Sequence, residues 1–223
     1  MPNLPANGIR IEYETFGDPT SPPLLLIAGL GGQMIGWDED LCREWAGKGL
    51  YVIRFDNRDA GLSSKMEEAG VPDLAVAMAA RAKGEKVAAP YTLDDMADDA
   101  VGLLDGLKIG RAHLCGISMG GAIAQTMAFR HPSRVRSLTQ VYATTGNPRL
   151  PMPKPEILDL LLTPPPPERG AYIEYMIKLY RTIAGPGFPF DEVWHRKLAA
   201  RSYDRGSYGP GKARQFLAIL AQG

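Results

Sequence analysis

The chain has 223 residues, enough for one large domain or for a core carrying a substantial insertion. It is 45% hydrophobic and 22% charged, and 25 basic residues balance 25 acidic ones, so no global field draws it towards nucleic acid or an anionic membrane surface. Two cysteines are too few for a disulfide framework, the N-terminus has no basic start leading into an apolar run, and no stretch approaches the roughly 18 apolar residues of a spanning helix; a soluble, cytoplasmic protein is expected.

In chain order, residues 9–16 alternate apolar and polar side chains and end at Gly17-Asp18-Pro19, the pattern of a strand followed by a turn. Leu24-Leu25-Leu26-Ile27-Ala28 is a continuous apolar run bounded by punctuation, which predicts a strand covered on both faces. Gly29-Leu30-Gly31-Gly32 follows it. Residues 37–48 have helical spacing (Trp37, Leu41, Trp45), and Tyr51–Phe55 reads as the next buried strand, feeding the polar loop 56–63. Residues 65–90 form an alanine-rich excursion with a short helix. Thr92 is placed to cap a helix whose apolar face includes Leu93, Met96, Ala100, Leu103 and Leu107. Its acids Asp94, Asp95, Asp98 and Asp99 read as a solvated face compensating the helix dipole rather than as a metal site.

Residues 111–115 predict a short buried strand, and the following Gly116-Ile117-Ser118-Met119-Gly120-Gly121 has glycines two residues to either side of a serine. Helix formers continue from Ala122. Strand, sharp turn and helix in that order form the context in which a serine hydroxyl is lifted above a sheet as a nucleophile. A thiol in the strand interior, as at Cys115, lacks the electropositive, exposed surroundings of a reactive thiolate. Val135–Val141 predicts one more buried strand. Beyond residue 147 the composition changes: prolines at 148, 151, 153, 155 and 164–167 are followed by helical stretches at 168–183, 191–203 and 212–221, without further strand-like runs. The expected architecture is therefore α/β, a mostly parallel central sheet with helices on both faces over residues 1–147 and an all-helical cap over 148–223.

The segments Ala28-Gly29-Leu30-Gly31-Gly32, 56–63 and Gly116-Ile117-Ser118-Met119-Gly120-Gly121, each following a strand, together resemble the α/β-hydrolase superfamily. Within it they look most like small serine esterases of the aclacinomycin-methylesterase type. The resemblance implies Ser118 as nucleophile and an oxyanion hole made by the backbone N–H groups of Leu30 and Met119. It implies a bracing role for loop 56–63 and a pocket shaped by the cap, with Tyr172, Met176 and Phe188 as candidates, although core packing is the better account of any single one. It implies a small-molecule ester as substrate, with no cofactor and no metal. Aminopeptidase, acyltransferase, lactonase and cofactor-free haloperoxidase chemistry share the fold.

A serine needs a base held by a carboxylate, and this fold supplies them later in the chain than the serine. His113 precedes Ser118, His131 stands where a helix stops, and His195 lies beside Trp194 on a cap helix; strand, capping and packing roles are expected of them in turn. Residues 142–147 contain no acid. The chain is accordingly expected to be the N-terminal portion of a longer hydrolase, its Val135–Val141 strand left as an open edge that self-associates or pairs with a missing C-terminal segment. A catalytically inactive binding protein is the alternative of a different class.

Overall fold

The computed structural model describes residues 2–147, 150 and 154–222. Six strands form one sheet in the order β1-β2-β4-β3-β5-β6: β1 Asn3–Ala6, β2 Ile9–Phe16, β3 Pro23–Ile27, β4 Tyr51–Phe55, β5 Ala112–Ile117 and β6 Val135–Val141. β1, β2 and β4 pair antiparallel, whereas β4, β3, β5 and β6 run parallel. β1 was not expected from the sequence. It is the outer arm of a hairpin whose turn, Asn7-Gly8, takes positive φ at both residues (47° and 79°), the backbone that a two-residue hairpin turn requires.

The strand residues divide by parity, as a pleated sheet demands. Leu25 and Ile27 of β3, with Ile53, Phe55 and Leu114, pack on helices α3 (Leu93–Gly106) and α4 (Met119–Arg130). Leu26, Val52 and Cys115 face the other way, onto Trp37 and Cys42 at helix α1 (Glu39–Gly47). The sheet is thus covered on both faces, and each fully buried Leu or Ile contributes about 1.5–3 kcal/mol of apolar transfer energy. Thr92 caps α3 in a reciprocal box with Asp95. Helix α2 (Leu74–Ala82) supplies the short helix of the alanine-rich excursion.

Helices α5 (Pro155–Leu162), α6 (Arg169–Ile183), α7 (Glu192–Asp204) and α8 (Gly209–Ala221) form the all-helical cap. The junction expected at 147/148 lies against residues outside those described. α5 was not foreseen, because prolines surround it; its own Pro155 sits in the first turn, where the missing N–H costs nothing.

Two expectations need correction. β6 is a strand but not the buried one that the sequence predicts: Leu138 is 37% exposed, and residues 136–140 are all solvent-facing, because among the described residues β6 is the outermost strand of the sheet, the open edge also expected of it. Nor are all the α3 acids solvated. Asp94 is half-exposed and paired with Arg130, and Asp95 completes the capping box, but Asp99 is buried and paired with the buried Arg58 at 2.6 Å.

Candidate active site

β3 lies between β4 and β5, so the chain leaves it to one side and returns on the other. Loops that follow neighbouring parallel strands diverge at such a point and leave a crevice at the strand C-termini. Register pairs Ile27 with Gly116, which sets the loop after β3 beside the turn after β5.

Ser118 occupies that turn with φ 54° and ψ −119°, a backbone that costs a non-glycine residue on the order of 1–3 kcal/mol. Packing enforces it. A Cβ on Gly116 would overlap the Gly120 carbonyl, and one on Gly120 would overlap the Ile27 carbonyl. The Ser118 N–H donates to the Val141 carbonyl at 2.8 Å, which ties the turn to the end of β6. The side chain is exposed, and although Ser118 is the N-cap of α4 its hydroxyl makes no capping bond. Helix capping therefore does not explain this serine.

Gly29 abuts the turn: a Cβ built there would stand 3.4 Å from the Ser118 Cβ. The next residue is Leu30, partly buried against the core, and a Gly32 N–H to Gly29 carbonyl bond of 3.0 Å closes the loop around it. Met119 is the first residue of α4, so its N–H has no partner one turn back in the helix. Among the described residues neither the Leu30 nor the Met119 N–H has a loop or side-chain acceptor.

Loop 56–63 braces this region. Asp56, fully buried, accepts from the Met34 N–H at 2.7 Å and the Leu62 N–H at 2.9 Å, and pairs with Arg205 at 3.0 Å. Asn57 donates to the Ala28 carbonyl at 3.0 Å. Asp59 pairs with Arg214 of α8 at 2.7 Å, both buried. Burial pushes the Asp59 carboxyl up, but hydrogen bonds from Arg214, the Met66 N–H and Tyr91 outweigh it and leave its pKa below the usual carboxylate range. Next to Arg214, the fully buried Gln215 accepts from the Gly31 N–H at 2.8 Å and donates to the Arg58 carbonyl at 2.7 Å. α8 is thus bolted to both loops, and Gln215 fixes the turn that contains Leu30. The sequence reading assigned neither residue a role; its signal was a polar pair embedded in an otherwise apolar stretch of helix.

Each histidine is engaged elsewhere. His113 hydrogen-bonds Ser137 at 2.8 Å and stands five residues up an extended strand from Ser118, about 16 Å. His131 is the C-cap of α4, bonded to Asp98 at 2.7 Å and about 20 Å from Ser118 by helix rise. His195 stacks on Phe190 with ring centroids 4.3 Å apart and contacts Tyr180 and Trp194. Both thiols are buried, and burial raises their pKa values, that of Cys42 to about 11.

A cavity of about 320 Å³ opens beside Leu30, walled by Leu74 of α2, Leu161 and Leu162 of α5, and Lys212 and Phe216 of α8. The cap residues expected to shape the pocket do not line it. Tyr172 is buried against Tyr203, with ring centroids 5.3 Å apart, and Phe188 is 89% exposed; Met176 is partly buried and also away from the cavity.

The sheet order, the strained serine turn and the cap describe a hydrolase-type scaffold, and the family model for the alpha/beta hydrolase fold matches residues 22–166. The chain belongs to that family. Rhodomycin D methylesterase DnrP of Streptomyces peucetius is 31% identical over 216 residues, covering 87% of this chain and 66% of the relative. The chain therefore spans about two thirds of that relative's length. 3-Oxoadipate enol-lactonase 2 of Acinetobacter baylyi is 30% identical over 131 residues, 59% of this chain and 40% of the relative. Among solved structures, a meta-cleavage product hydrolase from Pseudomonas fluorescens superposes with a TM-score of 0.69 at 22% identity, covering 100% of this chain and 73% of that one.

Proposed function

We propose that this chain carries the nucleophile, oxyanion donors and cap of a serine hydrolase acting on a small carboxylic ester. The observation that carries the reading is Ser118 itself: exposed, held at φ 54° by backbone packing, and capping nothing. In this reading the Ser118 Oγ attacks the ester carbonyl carbon as a base removes its proton. The carbonyl oxygen gains the negative charge and accepts hydrogen bonds from the Leu30 and Met119 N–H groups. Collapse expels the alcohol, which takes up the proton, and water releases the acid from the acyl-enzyme by the same path. Each preorganised donor contributes roughly 3–4 kcal/mol to the transition state. With His113, His131 and His195 engaged elsewhere, the reading requires its base and acid from outside these residues or from a second chain. It also assigns the open edge of β6 to pairing with a further strand, from a C-terminal segment or a second copy. Light scattering that finds a stable monodisperse monomer of this chain would remove that assignment.

A second reading, lactone opening, is favoured by the match to an enol-lactonase. The attack is the same, but the leaving alcohol stays tethered to the acyl group. Hydrolysis of p-nitrophenyl butyrate and of a simple γ-lactone, assayed in the assembly that supplies the base and acid, separates the two. In both cases Ser118→Ala should abolish turnover and any acyl-enzyme burst. Turnover that survives Ser118→Ala removes both readings.

A further inference from the structure

Among the described residues Lys212 is the one cation that lines the cavity beside Leu30. Its position is fixed by α8, whose Arg214 and Gln215 are tied to Asp59, Gly31 and Arg58. The stem of Lys212 lies on the turn after β3: a Cβ on Gly31 would stand 3.0 Å from its Cγ. Beyond the stem, the ammonium faces the Tyr175 ring of α6, 5.8 Å from its centroid. Among the described residues no carboxylate or carbonyl accepts a hydrogen bond from it. The other ionisable group of the cavity wall, Asp73 at the N-cap of α2, already accepts from the Ala75 and Val76 N–H groups at 3.0 and 3.1 Å, and it makes no ion pair with Lys212.

An ammonium with an apolar wall around it and no counter-charge is costly, because burial disfavours the charged form. A structural role does not call for one: methionine or leucine would cover Gly31 as well without that penalty. What the charge does offer is a partner for an anion that brings its own apolar body.

We propose that the cavity is a subsite for a carboxylate borne by the substrate, with Lys212 as its ion-pair partner and Leu74, Leu161, Leu162 and Phe216 enclosing the adjoining apolar chain. This deepens the ester or lactone reading, since Leu30 is shared by the cavity wall and the oxyanion position. Gly29 touches Ser118 and Gly31 touches Lys212, so the two ends of the substrate lie on either side of a tight turn, at most about 7 Å across. A carboxylate fits better than a phosphate. The site presents a single point charge with apolar surroundings, whereas a phosphate dianion calls for several N–H donors or a guanidinium fork.

The test is calorimetric titration of the whole chain with hexanoate and, separately, with its neutral analogue hexanamide. Burial alone pulls the Lys212 ammonium down to about 8, so the free site carries its charge below that pH and loses it above. Well below pH 8, hexanoate should bind at least about tenfold more tightly than hexanamide. The preference should fade as pH rises through 8, while hexanamide affinity stays level. Lys212→Met should abolish the preference and keep hexanamide binding; Lys212→Arg should retain the preference and carry it to higher pH. Equal affinities for the two probes, a preference that persists in Lys212→Met, or binding of neither overturns the proposal. Should Lys212→Met fail to fold, the pH dependence of the unaltered chain decides alone. The same titrations on Ser118→Ala separate the two claims: a preserved hexanoate preference keeps the subsite even where ester turnover by Ser118 is refuted.

Discussion

Replacing Arg214 with methionine probes the bond that holds α8, with Lys212 and Gln215, onto the sheet. Arg214 and Asp59 are 1% and 0% exposed, and Arg214 reaches both carboxylate oxygens, at 2.7 and 2.8 Å. In Arg214→Met, Asp59 keeps the Met66 N–H and the Tyr91 hydroxyl, each at 2.8 Å, but loses the cation it is paired with and retains only the more distant charge of Lys65. Breaking a buried pair from one side costs about 3–5 kcal/mol. Asp59→Asn combined with Arg214→Met should recover most of that loss, because the stranded charge is then gone; asparagine also tolerates the positive φ of 66° at this position. The pH dependence should reverse sign. In the unaltered chain the folded Asp59 pKa lies below its unfolded value, so its contribution is present above about pH 4 and is lost as pH falls through the folded pKa. In Arg214→Met burial acts without the cation, the folded pKa rises above the unfolded one, and stability falls as pH rises between them. Urea unfolding at a series of pH values measures both effects. A single variant that loses under about 1 kcal/mol at neutral pH, or a double variant no more stable than the single, refutes the assignment. A single variant that does not fold while the double variant does supports it.

Gly120→Ala should lower the melting temperature sharply and cost at least about 1–3 kcal/mol, because the new methyl meets the Ile27 backbone carbonyl, which has no rotamer to yield; an unchanged melting temperature would contradict the packing described for the turn. Gln215→Leu leaves the Gly31 N–H and the Arg58 carbonyl unpaired, about 1–3 kcal/mol each. If Leu30 is an oxyanion donor, steady-state kinetics on the same variant should show kcat down by at least about tenfold with little change in KM.

What could be read in the sequence is what local chemistry decides. Gly116, Ser118 and Gly120 announced the turn because only glycine fits where backbone meets backbone, and Thr92 announced a helix start through its own hydroxyl. The central strands were visible because their residues are apolar without a break. The Asn7-Gly8 hairpin was equally legible, yet the short arm before it, containing Pro5, lacks the alternation by which strands are recognised. β6 reads as a buried strand from its own residues alone; its open edge was legible only from the absence of an acid in residues 142–147 and of a suitably placed histidine after Ser118, because burial depends on what lies outside the strand. The clamp on the β3 loop was out of reach for a different reason. Asp59 and Arg214 are 155 residues apart, and Arg58 and Gln215 are 157 apart; charge pairing at that separation leaves no local pattern. The cavity escaped for the same cause, its walls coming from α2, α5 and α8 at once, while Tyr172 turned to packing and Phe188 to solvent.

The role of Ser118 is tested most directly by peptide-mapped mass spectrometry after exposure of the chain, alone and in whatever assembly supplies the proposed base, to a fluorophosphonate. Covalent capture needs an exposed hydroxyl, a base to take its proton, and N–H groups that donate to the phosphoryl oxygen; the first and last are the roles ascribed to Ser118, Leu30 and Met119. One adduct on Ser118, absent from Ser118→Ala, is the expected result. An adduct on any other residue, or ester turnover by a chain whose Ser118 stays unlabelled, would contradict it.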